Sequence, residues 1–230
     1  MRVLVTRPQE DAEETARLLE QCGHQALVAP LLRTDFLDGA VLTLDGVQAV
    51  LATSANGVRA LARRTDRRDV PLFAVGRQTA AMAKASGFLN VRDADGDAKA
   101  LGLAAREWAD PKLGALLHVR GQESAGALGE NLRRDGFTVT EEILYAVAPL
   151  DLTRRAADAL RGGSLDAALF FSPRSAQVFR ECVLKETLVV DRLIAVCISP
   201  AAGAALAPLR FDEIRVADRP NQDAILASLG

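Results

Sequence analysis

What most constrains the fold of this chain is an internal duplication. Arg7, Gln9, Glu10, Ala12, Leu19 and Gly23 recur as Arg120, Gln122, Glu123, Ala125, Leu132 and Gly136 at a constant offset of 113, six identities in 17 positions without a gap. A second unit pairs Ala49-Val50-Leu51-Ala52-Thr53-Ser54 with Ala167-Ala168-Leu169-Phe170-Phe171-Ser172 at an offset of 118. Further on it pairs Val91-Arg92-Asp93-Ala94-Asp95 with Ile214-Arg215-Val216-Ala217-Asp218 at an offset of 123, so the second copy is five residues longer. That insertion is expected in a loop near Lys185-Glu186. The chain order is A, B, A, B, and spacing alone leaves open which A packs with which B.

Each unit alternates short apolar runs with helical patterns. Val3–Val5, Val47–Ala52, Leu72–Val75, Leu116–Val119, Ala167–Phe171 and Ile194–Ile198 have the length and composition of buried parallel strands. Asp11–Cys22 and Gln78–Ser86 read as helices, the second ending at Gly87 as helices commonly do. Strands alternating with helices of about ten residues imply parallel sheets covered on both faces. A length of 230 residues admits one large domain or two. The expected class is α/β, with two doubly wound parallel-sheet domains.

In such a sheet, ligands bind beyond the carboxyl ends of the strands. The residues there are Thr6-Arg7, Thr53-Ser54-Ala55-Asn56, Gly76-Arg77-Gln78-Thr79, Arg120-Gly121, Ser172-Pro173-Arg174-Ser175 and Ser199-Pro200. Small, hydroxylated or cationic residues at helix N-termini suit a carboxylate or a phosphate, because free backbone N–H groups and the helix dipole point at it. The competing reading is that the hydroxyls are simply N-caps, worth about 1 kcal/mol each. Two domains facing one another would line a cleft with these donors. Tyr145, the only tyrosine, ends the apolar run Ile143-Leu144-Tyr145. Its phenol either donates a proton or hydrogen bond at the edge of that cleft or packs at a hinge.

Several function classes find no support. A net charge of −2 offers no basic excess for nucleic acid or an anionic membrane. No Gly-x-Gly-x-x-Gly follows a strand, and there is neither a P-loop nor His-Glu-x-x-His. His24 and His118 are too few for a histidine-based triad or metal site and read as structural, as do Trp108 and most phenylalanines. Cys22, Cys182 and Cys197 are odd in number and far apart, which argues against disulfides and zinc. The charged start gives no signal-peptide core, and Ala195–Leu209 is too short and too Pro-interrupted to span a bilayer. A cytoplasmic protein with no metal is expected.

The ordered series Val3-Leu4-Val5-Thr6-Arg7-Pro8, Ala52-Thr53-Ser54-Ala55-Asn56-Gly57-Val58, Ala74-Val75-Gly76-Arg77-Gln78-Thr79-Ala80, Val119-Arg120-Gly121, Ile143-Leu144-Tyr145 and Phe170-Phe171-Ser172-Pro173 resembles the uroporphyrinogen-III synthase family over nearly the whole chain. Pro220 sits where that family often has a proline. The resemblance implies that the first A pairs with the second B. Residues 1–35 and 150–230 would then form one domain and 36–149 a second, inserted one. Two connecting strands would lie near Arg33–Asp38 and Ala146–Leu150. It also implies the reaction: hydroxymethylbilane, an octacarboxylate, closes to uroporphyrinogen III with loss of water and inversion of the last pyrrole ring. No cofactor, nucleic acid or membrane is implied, and a monomer is expected.

On that resemblance the substrate-binding set is Arg7, Thr53, Ser54, Asn56, Gly76, Thr79, Arg120, Gly121, Ser172, Arg174, Ser175 and Ser199, with Arg77 as a further cation. Tyr145 is the candidate catalytic donor. One departure stands out. Where the family typically has Gly-Pro-Thr-Thr, this chain has Ser199-Pro200-Ala201-Ala202, without the glycine and the two hydroxyls. That leaves two rival readings: a two-lobed protein that binds an anionic metabolite without transforming it, and a structural α/β protein whose capped turns bind nothing.

Overall fold

In the computed structural model the described residues are 1–123 and 127–230. Ala125, in the second copy of unit A, therefore lies outside them. The strands are β1 (Arg2–Val5), β2 (Gln25–Val28), β3 (Leu32–Phe36), β4 (Val47–Ala52), β5 (Leu72–Ala74), β6 (Val91–Asp93), β7 (Ala115–Gly121), β8 (Val139–Pro149), β9 (Ala167–Phe170), β10 (Ile194–Cys197) and β11 (Glu213–Val216). The helices among the described residues are α1 (Gln9–Gln21), α2 (Ala55–Arg64), α3 (Arg77–Ala85), α4 (Ala98–Trp108), α5 (Leu128–Arg134), α6 (Arg154–Arg161), α7 (Pro173–Lys185), α8 (Pro200–Ala204) and α9 (Gln222–Ala227). All six apolar runs are strands, and α1 and α3 begin and end within two residues of the bounds expected from the sequence.

The chain divides into two compact units, Met1–Arg33 with Ala148–Gly230, and Thr34–Val147. The first holds a five-stranded sheet in the order β11-β10-β9-β1-β2, with every pair parallel. Alternation along the strands divides its core. Val3, Val5, Ala167, Leu169 and Val196 face Ala12 and Leu19 of α1 and Ile225 of α9. From β9, Phe170 meets Phe179 of α7 edge-on, with ring centroids 5.1 Å apart.

The second unit holds a six-stranded sheet in the order β3-β8-β7-β4-β5-β6. Val50, Ala52, Leu72, Ala74, Leu117 and Val119 pack under Val58 and Leu61 of α2 and Ala80 and Ala83 of α3. Their alternating neighbours Ala49, Leu51, Phe73 and Leu116 pack under Leu101 and Ala105 of α4 and Leu128 and Leu132 of α5. Both faces are thus apolar and covered, as a parallel sheet requires.

The two sheets interleave the repeats. The first takes β1 and β2 from the first A and β9, β10 and β11 from the second B. The second takes β7 and β8 from the second A and β4, β5 and β6 from the first B. Apart from β3, each reads 2-1-3-4-5 in space, counting the A strands first. The direction of winding reverses between β1 and β9 in one sheet and between β7 and β4 in the other, the places where open α/β sheets bind ligands. The strand β3 lies beside β8. Backbone bonds from Leu37 N to Leu144 O in the second unit and from Leu150 N to Leu31 O in the first run the pair antiparallel.

Candidate functional site

At the winding reversal of the second unit, β4 is followed by Thr53-Ser54 and β7 ends in Arg120-Gly121. Thr53 is half-buried at the mouth of this turn. Ser54 is the extended N-cap of α2, and its Oγ accepts from Gly57 N at 3.0 Å. Gly57 is itself close-packed: a Cβ there would lie 3.2 Å from Val119 O. Across the sheet, parallel pairing of β7 with β8 runs regularly to Arg120↔Ile143 and then jumps to Gly121↔Tyr145. The jump leaves Leu144 as an extra residue. Such bulges re-aim side chains beside functional sites, and here Leu144 and Tyr145, although consecutive, both pack against the α2 side of the core.

The consequence is a fixed phenol. The Tyr145 hydroxyl lies 2.8 Å from Ser54 Oγ. Its ring lies against the bare backbone of Gly121, where a Cβ would come within 2.8 Å of both Cε2 and Cζ. Gln122 N donates to Tyr145 O at 2.8 Å, pinning the backbone beneath. Tyr145 lies inside β8, beside the end of β7, and its hydroxyl is held by packing and by the serine that caps α2. Packing and hydrogen bonding therefore meet in the same residue.

Beside it, Arg120 Nε donates to Glu141 Oε2 at 2.7 Å and its Nη1 to Gly121 O at 3.2 Å. Arg133 Nη2 donates to the other Glu141 oxygen at 2.9 Å. Burial would push the Glu141 carboxyl up, but hydrogen bonds and charge from Arg133 and Arg120 outweigh it and hold the group below its ordinary value. Glu141 escaped sequence reasoning, although a signal exists. It occupies the repeat position of Val28, so a carboxylate stands where the first copy has an apolar residue. Paired directly with Glu141, His118 of β7 is buried, and neither ring nitrogen has a hydrogen-bond partner among the described residues. Burial pushes its imidazole down, against the opposing pull of Glu141.

The other expected residues sort by their partners. Asn56 donates from Nδ2 to Thr34 Oγ1 at 3.0 Å and accepts from Arg59 at 2.7 Å, so its amide ties α2 to β3. Gly76 caps α3 with extended backbone and no side-chain bond, leaving the first N–H groups of that helix uncapped by any side chain. Thr79 is buried in that first turn, and Arg77 is exposed and bonded to Asp95 at 3.1 Å.

In the first unit, Arg7 follows β1. It is 7% exposed. Its guanidinium bonds Gln222, Thr15 and Asp11 and lies 4.2 Å over the Phe171 ring. It joins the end of β1 to α1 and α9, and that packing accounts for its burial. Ser172 caps α7 by accepting from Ser175 N at 3.0 Å, and Ser175 returns its hydroxyl to Ser172 O at 2.9 Å. Arg174 stands half-buried in the same first turn. Ser199 caps α8 by accepting from Ala202 N at 3.3 Å. Ser172 and Ser199 thus each cap their own helix, as Ser54 does.

The departure at Ser199 is conformationally mild. Gly76 has φ −171° and Ser199 has φ −157°, both extended, so neither position needs glycine. What changes is chemistry: Ser199 fills an N–H with its own oxygen, whereas the corresponding N–H of α3 keeps no side-chain cap. Among the described residues no group of three or more His, Cys, Asp or Glu is placed to hold a metal ion. No described helix is long and apolar enough to cross a membrane.

Comparison with known proteins agrees along almost the entire chain. The uroporphyrinogen-III synthase from Chlorobaculum parvum is 29% identical over 215 residues, covering 88% of this chain and 87% of its own. The solved uroporphyrinogen-III synthetase of Helicobacter pylori shares the fold with a TM-score of 0.66 at 16% identity, covering 99% of this chain and 97% of that one. A mutant uroporphyrinogen III synthase from Thermus thermophilus gives 0.56 at 19% identity over 99% and 96%. The sequence model of the family described as uroporphyrinogen-III synthase HemD matches residues 13–227. The chain belongs to the uroporphyrinogen-III synthase family.

Proposed function

We propose that this chain closes hydroxymethylbilane to uroporphyrinogen III, a cyclising hydro-lyase step of tetrapyrrole biosynthesis, with Tyr145 as the proton donor to the departing hydroxyl. The family match over residues 13–227 carries the reaction. The Tyr145 hydroxyl held 2.8 Å from Ser54, over a glycine, supports the role of the phenol.

The phenol gives its proton to the terminal hydroxyl, which leaves as water, and the substrate becomes an azafulvenium cation. The substituted carbon of the last ring attacks it to give a spiro intermediate. That intermediate fragments and recloses with the ring inverted, and the proton lost on rearomatisation returns to the phenolate. Holding and orienting a substrate that also closes on its own supplies most of the catalysis, with the donor adding about 10²–10⁴ in rate.

Carboxylates of the substrate would be met by Thr53, by the uncapped N–H groups of α3 at Gly76–Thr79, and by Arg120, whose partner Glu141 they must displace or share. In the first unit, the N-terminus of α7 with Ser172 and Arg174 offers the same kind of donor, and the turn at Ser199 a poorer one. With a net charge of −2 the overall field does not attract the substrate, so local donors must hold it. The step calls for no cofactor, and a monomer in the cytoplasm suffices for it. Supplying hydroxymethylbilane, oxidising the product and resolving porphyrin isomers tests the reading: type III above the spontaneous background supports it, and type I alone refutes it.

A further inference from the structure

We propose that Ser54 is the positioning residue for Tyr145, turning its hydroxyl during the reaction so that it donates to the phenolate oxygen as the proton leaves. The proposal rests on the reading of Tyr145 as proton donor and adds a residue to it.

The geometry of the Ser54 oxygen carries the argument. A serine hydroxyl has one O–H and two lone pairs. One lone pair is committed, because Gly57 N is a backbone donor and can only donate, at 3.0 Å. What remains toward Tyr145, 2.8 Å away, is one O–H and one lone pair. With no substrate present the serine can accept from the phenol. When the phenol turns its single proton to the leaving hydroxyl, the serine O–H can turn with it and donate to the phenol oxygen, and it keeps that bond once the proton has passed and the oxygen is a phenolate, without any heavy atom moving. An N–H fixed in the backbone could not play both parts, and an alanine could play neither.

The site resists other arrangements. Any Cβ at Gly121 would push the ring off its seat. The helix N-terminus behind Ser54 favours negative charge on the phenol oxygen, since a helix carries about half a positive charge at that end. Among the described residues no basic group is bonded to the Tyr145 hydroxyl; its hydrogen-bond partner there is Ser54. Ser54 thus acts on the reaction through another side chain, and its effect should vanish when that side chain is disarmed.

That dependence is the test. Steady-state kinetics on hydroxymethylbilane would be run for the wild type, Ser54→Ala, Ser54→Thr, Tyr145→Phe and the Ser54→Ala/Tyr145→Phe double variant. A hydrogen bond to a charged group is worth a loss of about 10- to 100-fold in kcat when removed. The expected results are that loss for Ser54→Ala with KM little changed, recovery toward the wild-type rate in Ser54→Thr, and no further loss in the double variant beyond Tyr145→Phe. The near-ultraviolet absorption of the single tyrosine gives a readout independent of turnover, and it should change in Ser54→Ala and return in Ser54→Thr. Thermal melting separates the lost helix cap from the lost hydrogen bond, because the cap would lower Tm equally in both tyrosine and phenylalanine backgrounds. Multiplying losses in the double variant, or a rise in KM alone, overturn the proposal while leaving Tyr145 its role. A Tyr145→Phe enzyme with the wild-type rate removes the phenol and this proposal together.

Discussion

Replacing Gly121 with alanine adds a single methyl group at the point where the Tyr145 ring meets the sheet. The new Cβ would lie 2.8 Å from Cε2 and Cζ and 3.1 Å from the hydroxyl oxygen. Carbon atoms in contact sit about 3.5–4.0 Å apart, so the ring has to retreat by about 1 Å. Gly121 closes β7 paired with Tyr145 of β8, and the next residue bonds Tyr145 O through Gln122 N, so the ring yields before the backbone does. A hydrogen bond that starts at 2.8 Å is lost once it exceeds about 3.5 Å, and a 1 Å retreat away from Ser54 reaches that limit. Overpacking costs about 1–3 kcal/mol, and the lower end applies because Tyr145 is only half-buried. The catalytic effect is larger: misplacing a reacting group by about 1 Å can cost about 10²-fold. Gly121→Ala should therefore melt only a few degrees below the wild type and yet form type III uroporphyrinogen about a hundred times more slowly, approaching Tyr145→Phe. The assay is the initial rate of type III formation, read beside a thermal melt of the same preparation. A variant that folds and turns over at the wild-type rate would refute the claim that the ring must rest on Gly121.

Three other consequences follow from the groups around that site. Glu141 is held below its ordinary value of 4.5 by Arg133 and Arg120, so its stabilisation is complete above that pH and is lost as pH falls through the lowered value. Glu141→Gln should cost about 1 kcal/mol at neutral pH and flatten the acid limb of a stability-versus-pH curve; an unchanged acid limb would count against the ion-pair network. His118, with a value pushed below its ordinary 6.5 by burial, stays neutral in the fold while the unfolded chain takes up a proton. Stability therefore falls as pH drops below 6.5, down to the lowered value, and His118→Leu should remove that slope in urea titrations between those pH values. Cys22 is exposed whereas Cys182 and Cys197 are buried, the last with its thiol pushed up to about 11 by burial. A chromogenic disulfide reagent should titrate one thiol in the native protein and three in denaturant, and a second fast thiol would contradict the burial of the pair.

How much of this was legible in the sequence depends on where each element sits. The six apolar runs were readable because they form the interior of the two sheets, where Val3, Leu51, Phe73 and Leu169 are buried on a covered strand. The edge strands β2, β6 and β11 were not, and β3 was expected only through the family resemblance, because an edge needs fewer apolar residues: β11 reads Glu213-Ile214-Arg215-Val216 and is largely exposed. Gly23 and Gly136, matched in the repeat, both take positive φ, at 79° and 91°. The serine caps were legible as chemistry but not as fate. Ser172 and Ser199 use their oxygens on their own helices, while Ser54 does that and reaches Tyr145 as well. That second bond depends on a bulge at Leu144, and no periodicity marks it, because one extra residue in an apolar run leaves the run apolar. The partners of Arg7 were not legible for a related reason. A strand-end arginine looks like a free cation until the chain supplies Gln222 from a helix more than two hundred residues away.

The central claim is that this chain directs ring closure, and the isomer ratio at limiting enzyme tests it most directly. Hydroxymethylbilane would be mixed with increasing concentrations of the wild-type protein, and with Tyr145→Phe in parallel. After oxidation, type I and type III porphyrins would be separated and quantified at a fixed early time. The account predicts that type III rises in proportion to the wild-type protein and displaces type I, while the variant needs far more protein to reach the same ratio. A ratio that stays at the spontaneous value at every protein concentration would contradict it.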